Sequence, residues 1–258
     1  MSLANVVTMN FCLVAAMTLV LWLVSLPIRN SSIVDIFWGA GFVVIAWSSA
    51  LATQPITPRG LLISVFISFW GLRLCGYLAW RNVGHGEDYR YRAMRERFGH
   101  RFPLISLFYV FWLQGLVMWV VALPIQAVHF GSAPLGWVDV IGGGLWIVGW
   151  FFESVGDLQL ARFKALPANR GKVMDRGLWR YTRHPNYFGD FLVWWGIYLI
   201  AAAGGAWWTI FSPMLMSFLL MRVSGVTLLE RSLRKNRPGY EDYVARTSSF
   251  FPWPPASP

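Results

Sequence analysis

The chain has 258 residues, 56% hydrophobic and only 13% charged, with a formal net charge of +10. A soluble domain carries roughly twice that charged fraction, which excludes the ordinary soluble classes. Sixteen Trp fit a chain whose rings sit half wet at a membrane interface.

A bilayer-spanning helix needs about 20 apolar residues. The stretch Met1 to Ser25 lacks a basic leading region and a small-residue cleavage site, so it reads as a first span rather than a secretory signal. In chain order the predicted spans are Val6–Ile28, Ile33–Ala52, Leu61–Trp80, Leu104–Val128, Trp137–Val155, Tyr187–Ala203 and Trp207–Leu228. A tight turn at Ala201 to Gly205 separates the last two. The predicted fold is therefore an all-α integral membrane bundle of about seven transmembrane helices, forming one membrane-embedded domain over residues 1–258.

The basic residues lie in alternate connections: Arg29, then Arg81 to Arg101, then Arg162 to Arg183, then a tail with Arg231, Arg234, Lys235, Arg237 and Arg246. By the positive-inside rule the N-terminus is outside and the C-terminus cytosolic, as in a bacterial inner membrane. That rule accounts for most of the 22 Lys+Arg. The preference for arginine over lysine is a hint of phosphate, because a guanidinium grips phosphate with two bonds. The Arg81–Arg101 loop alternates charge with aromatics and reads in part as an amphipathic helix on an anionic leaflet. Cys12 and Cys75 sit in apolar stretches and supply neither a disulfide framework nor a metal-ligand spacing.

Five acids fall in or beside apolar spans: Asp35, Glu153, Asp157, Asp190 and Glu230. An ionisable group there is expensive unless paired or facing a cavity, so each is a candidate functional residue. Pairing with neighbouring arginines accounts for any one of them as readily as function does. The densest constellation is Gly177 to Gly189 (GLWRYTRHPNYFG) followed by Asp190. Pro185 predicts a helix start there, and a helix start beside Arg176, Arg180 and Arg183 suits an anion. His184 has no second ligand at metal spacing, so no metal site is expected. Neither a Gly-x-Gly-x-x-Gly turn nor a phosphate-binding Gly-Lys-Ser/Thr loop occurs.

Arg183-His184-Pro185-Asn186-Tyr187-Phe188-Gly189-Asp190 resembles the C-terminal motif of the membrane sterol C14 and C7 reductases. It is also similar to the Asn-aromatic-x-Gly-acid element of steroid 5-alpha-reductases. The tail Arg237-Pro238-Gly239-Tyr240-Glu241-Asp242-Tyr243, with Arg246 and Phe250-Phe251-Pro252, resembles that family's closing segment, and Asp157 with Arg162 and Lys164 the stretch before it. The resemblance implies an oxidoreductase that moves hydride from NADPH to an apolar enone such as a 3-oxo-delta-4 steroid, a role in steroid or lipid metabolism, and no nucleic-acid partner. It places substrate-side helices in residues 1–100 and a cofactor-binding region in 137–258, facing the cytosol. It implies cofactor contacts at Asn82, Asp157, Arg162, Lys164, Arg176, Tyr181, Arg183, His184, Asn186, Tyr187, Asp190, Glu230 and Arg246. For the substrate carbonyl it implies Asp35 in span two and, in span three, Tyr77 with Arg73. A competing resemblance is to membrane methyltransferases of the isoprenylcysteine carboxyl or phospholipid type, which bind S-adenosylmethionine and carry a similar Arg-His-Pro element. Asp190 and the arginine excess favour the reductase, because S-adenosylmethionine is itself cationic at sulfur. A seven-span transporter or receptor is a third reading, against which no broken, paired hydropathy halves are visible.

Overall fold

The computed structural model describes residues 1–223, 226, 230, 233, 234 and 237–256. Leu228, the expected end of the last span, and the tail cations Arg231 and Lys235 lie outside the described residues. Helix is the only regular structure among the described residues. Six runs are long and apolar enough to cross a bilayer: Leu3–Ile28, Ile33–Ala52, Pro58–Asn82, Tyr89–Val121, Trp137–Ala165 and Pro185–Val223. The seven expected spans thus appear as six runs, because the expected sixth and seventh share the last one. That 39-residue run breaks at Gly205, whose φ of 99° cannot continue a right-handed ladder.

The chain divides into two compact units, Met1–Leu135 with Ala201–Ser212, and Gly136–Ile200 with Pro213–Pro258. In the first, helix α1 (Leu3–Ile28) starts at Ser2, whose side chain accepts from the Asn5 amide, and closes at Arg29 in the left-handed conformation. It buries Asn10, Thr18 and Ser25 while exposing Val20, Leu23, Val24 and Ile28. That arrangement is backward for water and correct for lipid, where alkyl groups gain nothing by turning inward and polar groups need protein partners. Asn10 Nδ2 donates to Ser49 Oγ at 2.8 Å and to Gln126 Oε1 at 3.1 Å. These bonds tie α1 to α2 (Ile33–Ala52) and α7 (Leu123–Ala127) through a fully buried polar knot.

Helix α3 (Pro58–Asn82) is capped by Thr57, with Pro58 in its first turn. It meets α2 where Gly39 and Gly71 face each other so closely that a β-carbon on either would strike the other's backbone. The expected amphipathic segment of the Arg81–Arg101 loop is α4 (Tyr89–Phe98), started by Asp88 accepting from the Arg90 amide. Its apolar face, Tyr91 and Met94, packs on Leu21, Val34, Val110 and Phe111, so α4 is part of this unit's core. Beyond it lie α5 (Phe102–Ser106), a π turn at Leu107–Trp112 and α6 (Leu113–Val121).

In the second unit, α8 (Trp137–Ala165) lies against α9 (Pro185–Ala201), which begins at the proline, as expected. Glycines recur every seventh residue on α8, at Gly142, Gly149 and Gly156, and meet Gly196, Gly189 and Pro185 in turn. A β-carbon on Gly149 would stand 2.6 Å from the Gly189 carbonyl oxygen, and one on Gly196 would stand 2.6 Å from that of Gly142. Backbones therefore touch without side chains between them, the small-residue packing favoured in membranes. Replacing Gly189 by Ala is expected to destabilise the protein by about 1–3 kcal/mol through overpacking, read as a lowered thermal midpoint in detergent. An unchanged midpoint would show that the α8–α9 contact can open at little cost. Helix α10 (Phe211–Phe218) and the short α11 (Tyr240–Arg246) follow.

Candidate functional site

Each unit carries a constellation of ionisable side chains at the edge of a span. In the first, the α3–α4 connection is pinned over the start of α2. The Ser31 amide donates to Glu87 at 2.8 Å, and the Asp88 amide donates to Ser32 Oγ at 2.7 Å. Arg95 grips Glu87 with two bonds of 2.9 and 2.7 Å. Burial pushes the Glu87 carboxyl up, but these donors outweigh it and hold it below the usual carboxylate range. So fixed, α4 directs Tyr91 at Asp35.

The Tyr91 hydroxyl donates to Asp35 Oδ1 at 2.7 Å and accepts from Gln114 Nε2 at 2.9 Å. Arg90 holds the other Asp35 oxygen at 3.1 Å, and Trp38 donates to Gln114 Oε1. Tyr91 is buried, whereas the Asp35 side chain keeps 23% of its surface exposed. An acid, a phenol and an amide thus converge at one edge of a span.

Asp35 was expected to carry this chemistry together with Tyr77 and Arg73. The structure brings Asp35 to a tyrosine, but that tyrosine is Tyr91. Tyr77 lies instead between two guanidinium groups, with Arg73 and Arg81 each 5.6 Å from its ring centroid. Asn82 accepts a bond from its neighbour Arg81. Sequence reasoning missed Tyr91 because it lies in a charged loop; the signal available was its place on the apolar face of that loop's helix.

The second unit's constellation is built where α8 ends. Asp157, one turn beyond Glu153 on that helix, accepts from Asn186 Nδ2 at 3.1 Å, which locks the first turn of α9 to α8. His184 stacks on Tyr187, the rings 5.6 Å apart and nearly parallel. Arg183 Nε pairs with Glu230 Oε1 at 2.8 Å, and His184 Nε2 meets the same oxygen at 3.1 Å. The Arg183 guanidinium also donates to the carbonyls of Val244 and Thr247, and the Arg183 amide to that of Ser248. Thr182 Oγ donates to the Phe250 carbonyl, the Tyr243 hydroxyl to that of Trp179, and the Trp253 amide to that of the exposed Tyr181. The Arg-His-Pro turn is thereby strapped to the C-terminal segment, and Arg183 directs most of its donors at protein.

Burial pushes the Glu230 carboxyl up, but the bonds and charge of His184 and Arg183 outweigh it and hold it near pKa 2. Burial lowers the pKa of His184 more than Glu230 raises it.

Two cavities open beside this strap. One, of about 480 Å³, is lined by Lys164, Arg170, Lys172, Arg183 and Arg237 with Trp179, Tyr240 and Tyr243, and no acid among the described residues lines it. The other, of about 440 Å³, is lined by Asp175, Arg176, Arg180 and Arg246 with Tyr243; its Arg246 lies 3.8 Å from Asp175. Of the cofactor residues the resemblance implies, Lys164 and Arg183 line the first and Arg176 and Arg246 the second. Arg162 is exposed and lines neither, and Asp190 is half-buried on α9. Arg170 and Lys172 are lining cations that the motifs did not single out, and Arg237 opens the tail motif without an implied cofactor role.

Six apolar helical runs, with polar side chains turned inward and cations gathered at loops, define a helical integral membrane protein. The chain belongs to the family described as "Protein of unknown function (DUF1295)", which it matches over residues 21–247. It is 27% identical over 264 aligned positions to the "Uncharacterized protein C594.04c" of Schizosaccharomyces pombe, an alignment covering 90% of this chain and 76% of that one. No solved structure matches.

Proposed function

We propose that this protein is a membrane reductase that transfers hydride from NADPH to the carbon–carbon double bond of an apolar enone. The observation that carries this reading is the Tyr91–Asp35 hydrogen bond at the edge of a span, a proton-donating pair beside an apolar environment. The family's relationship to steroid 5-alpha-reductases and the Arg183–Asp190 motif support it. So do two cavities in the second unit whose cations suit an organic phosphate.

NADPH, when bound, supplies the hydride. The rest falls to the chain. Tyr91 would turn its hydrogen from Asp35 toward the substrate carbonyl, where negative charge develops as hydride reaches the β-carbon. Gln114 and Asp35 hold the phenol in place, and Arg90 and Gln114 fix the carboxylate. Exclusion of water strengthens that bond in the transition state, which is where stabilisation accelerates the step. The α-carbon then takes a proton from solvent, so that hydride and proton together saturate the double bond. Lys164, Arg176, Arg180 and Arg246 serve the phosphates from a cytosolic face, and Trp179 and Tyr243 offer aromatic surface beside them.

The test is a thermal scan of the detergent-purified chain with NADPH or S-adenosylmethionine. A ligand at a hundred times its dissociation constant adds about 2.7 kcal/mol of apparent stability. Stabilisation by NADPH, followed by loss of nicotinamide absorbance when a 3-oxo-delta-4 steroid is added, is the expected result. Stabilisation by S-adenosylmethionine alone would replace this reading with the methyltransferase, and no response to either would favour a transporter.

A further inference from the structure

The cavity at the end of α8 carries more positive charge than a membrane-flanking loop requires. Arg170, Lys172 and Arg237 face it together with Lys164, and among the described residues neither Asp nor Glu lines it. Two other exposed cations of the second unit have acids beside them: Arg234 pairs with Glu241 at 2.8 Å, and Arg246 has Asp175 nearby. Arg170, Lys172 and Arg237 have no such acid among the described residues. Like charges gathered in a concave site repel one another unless an anion joins them, and low-dielectric walls strengthen the attraction for that anion.

Trp179, Tyr240, Leu160 and Phe163 add aromatic and apolar surface to the same lining. Burial pushes the Tyr240 hydroxyl up to about 12, so it remains a protonated donor. The lining fits a phosphate with several charge-assisted donors and a flat ring beside it, in a volume of about 480 Å³. It does not fit a cation.

We infer that this cavity is a phosphomonoester site for the adenosine end of a dinucleotide, and that Arg170, Lys172 and Arg237 select the 2′-phosphorylated form. The inference rests on the reductase reading for its ligand, but its charge argument does not. A phosphate could also arrive on a lipid headgroup, so the test separates the two sources.

The experiment uses the full chain purified in detergent, with adenosine 2′,5′-bisphosphate, adenosine 5′-monophosphate and short-chain phosphatidic acid as probes. Affinities are compared for the unaltered protein, the double variant Lys172→Ala/Arg237→Ala, and the control Arg92→Ala, which alters an exposed cation of the first unit. Losing two charge-assisted contacts is expected to weaken the bisphosphate about tenfold or more while leaving the monophosphate nearly unchanged. The control should match the unaltered protein. Equal bisphosphate affinity in the double variant would overturn the inference, as would equal weakening by the control. Binding of phosphatidic acid but not the bisphosphate, lost in the double variant, would overturn the nucleotide assignment in favour of a headgroup.

Failure of the inference and failure of the reductase reading remain distinguishable. If the protein oxidises NADPH with an enone and the double variant keeps the same NADPH-over-NADH preference, the inference falls and the reading stands. If the bisphosphate binds through Lys172 and Arg237 but no enone consumes NADPH, the cavity assignment stands and the reading falls.

Discussion

Replacing Tyr91 by Phe is expected to lower the turnover of enone reduction by about 10²–10⁴, the contribution typical of a positioned proton donor. The phenylalanine keeps the packing of Tyr91 on Leu21, Val34 and Phe111 and removes only the hydroxyl between Asp35 and Gln114. On the proposed reading the dissociation constant for NADPH should be nearly unchanged, because the cations proposed to hold its phosphates belong to the second unit. Asp35→Asn should follow the same pattern more weakly, since the amide still accepts a bond from Tyr91 but loses its charge pair with Arg90. Tyr77→Phe is the informative comparison. If Tyr77→Phe abolishes turnover and Tyr91→Phe does not, the carbonyl-polarising role belongs to α3, and the Asp35–Tyr91 pair is structural.

Arg183→Ala is expected to cost about 3–5 kcal/mol of stability, the effect of breaking a buried ion pair from one side. Arg183 and Glu230 are 8% and 14% exposed, so removing the guanidinium leaves a largely buried carboxylate with His184 as its remaining partner and takes the side-chain donor from the Val244 and Thr247 carbonyls. The same cluster predicts how stability changes in acid. Glu230 is depressed in the fold, from an ordinary 4.5 to about 2. Its contribution is therefore complete above pH 4.5 and lost as pH falls toward 2. His184 is lowered from 6.5, so charging it also opposes the fold, starting below that pH. Chemical denaturation in detergent at a series of pH values should show stability falling from about 6.5 downward, most steeply below 4.5. Glu230→Gln should flatten the lower part of that curve. A curve of the same shape in the variant would mean that acid acts through other carboxylates.

The Arg183 result also bears on the motif. Arg183 and His184 look from sequence like ligand-binding residues, and the structure gives their polar atoms largely to Glu230 and the C-terminal backbone. A stability loss without selective loss of NADPH affinity would define the Arg-His-Pro turn as a clamp that positions α9 and Asn186.

Membrane residence and the approximate limits of the spans were legible in the chain, because lipid demands about 20 apolar residues of helix wherever the backbone crosses it. The start of α9 at Pro185 was legible for an equally local reason, proline's exclusion from helix interiors. So were the acids that anchor polar contacts: Asp35, Asp157 and Glu230 stand out because charge beside an apolar run is rare. Their partners were not legible. Asp35 meets Tyr91 across 56 positions, and Glu230 meets Arg183 across 47; no local periodicity encodes such pairings. The glycine repeat of α8 was present in the letters, yet which glycines it would meet depended on how α9 returned. Tertiary structure alone decided that Arg183 faces the C-terminal segment while Arg170, Lys172 and Arg237 face a common cavity. Composition supplied the excess of cations, and only packing determined which of them found a protein acid.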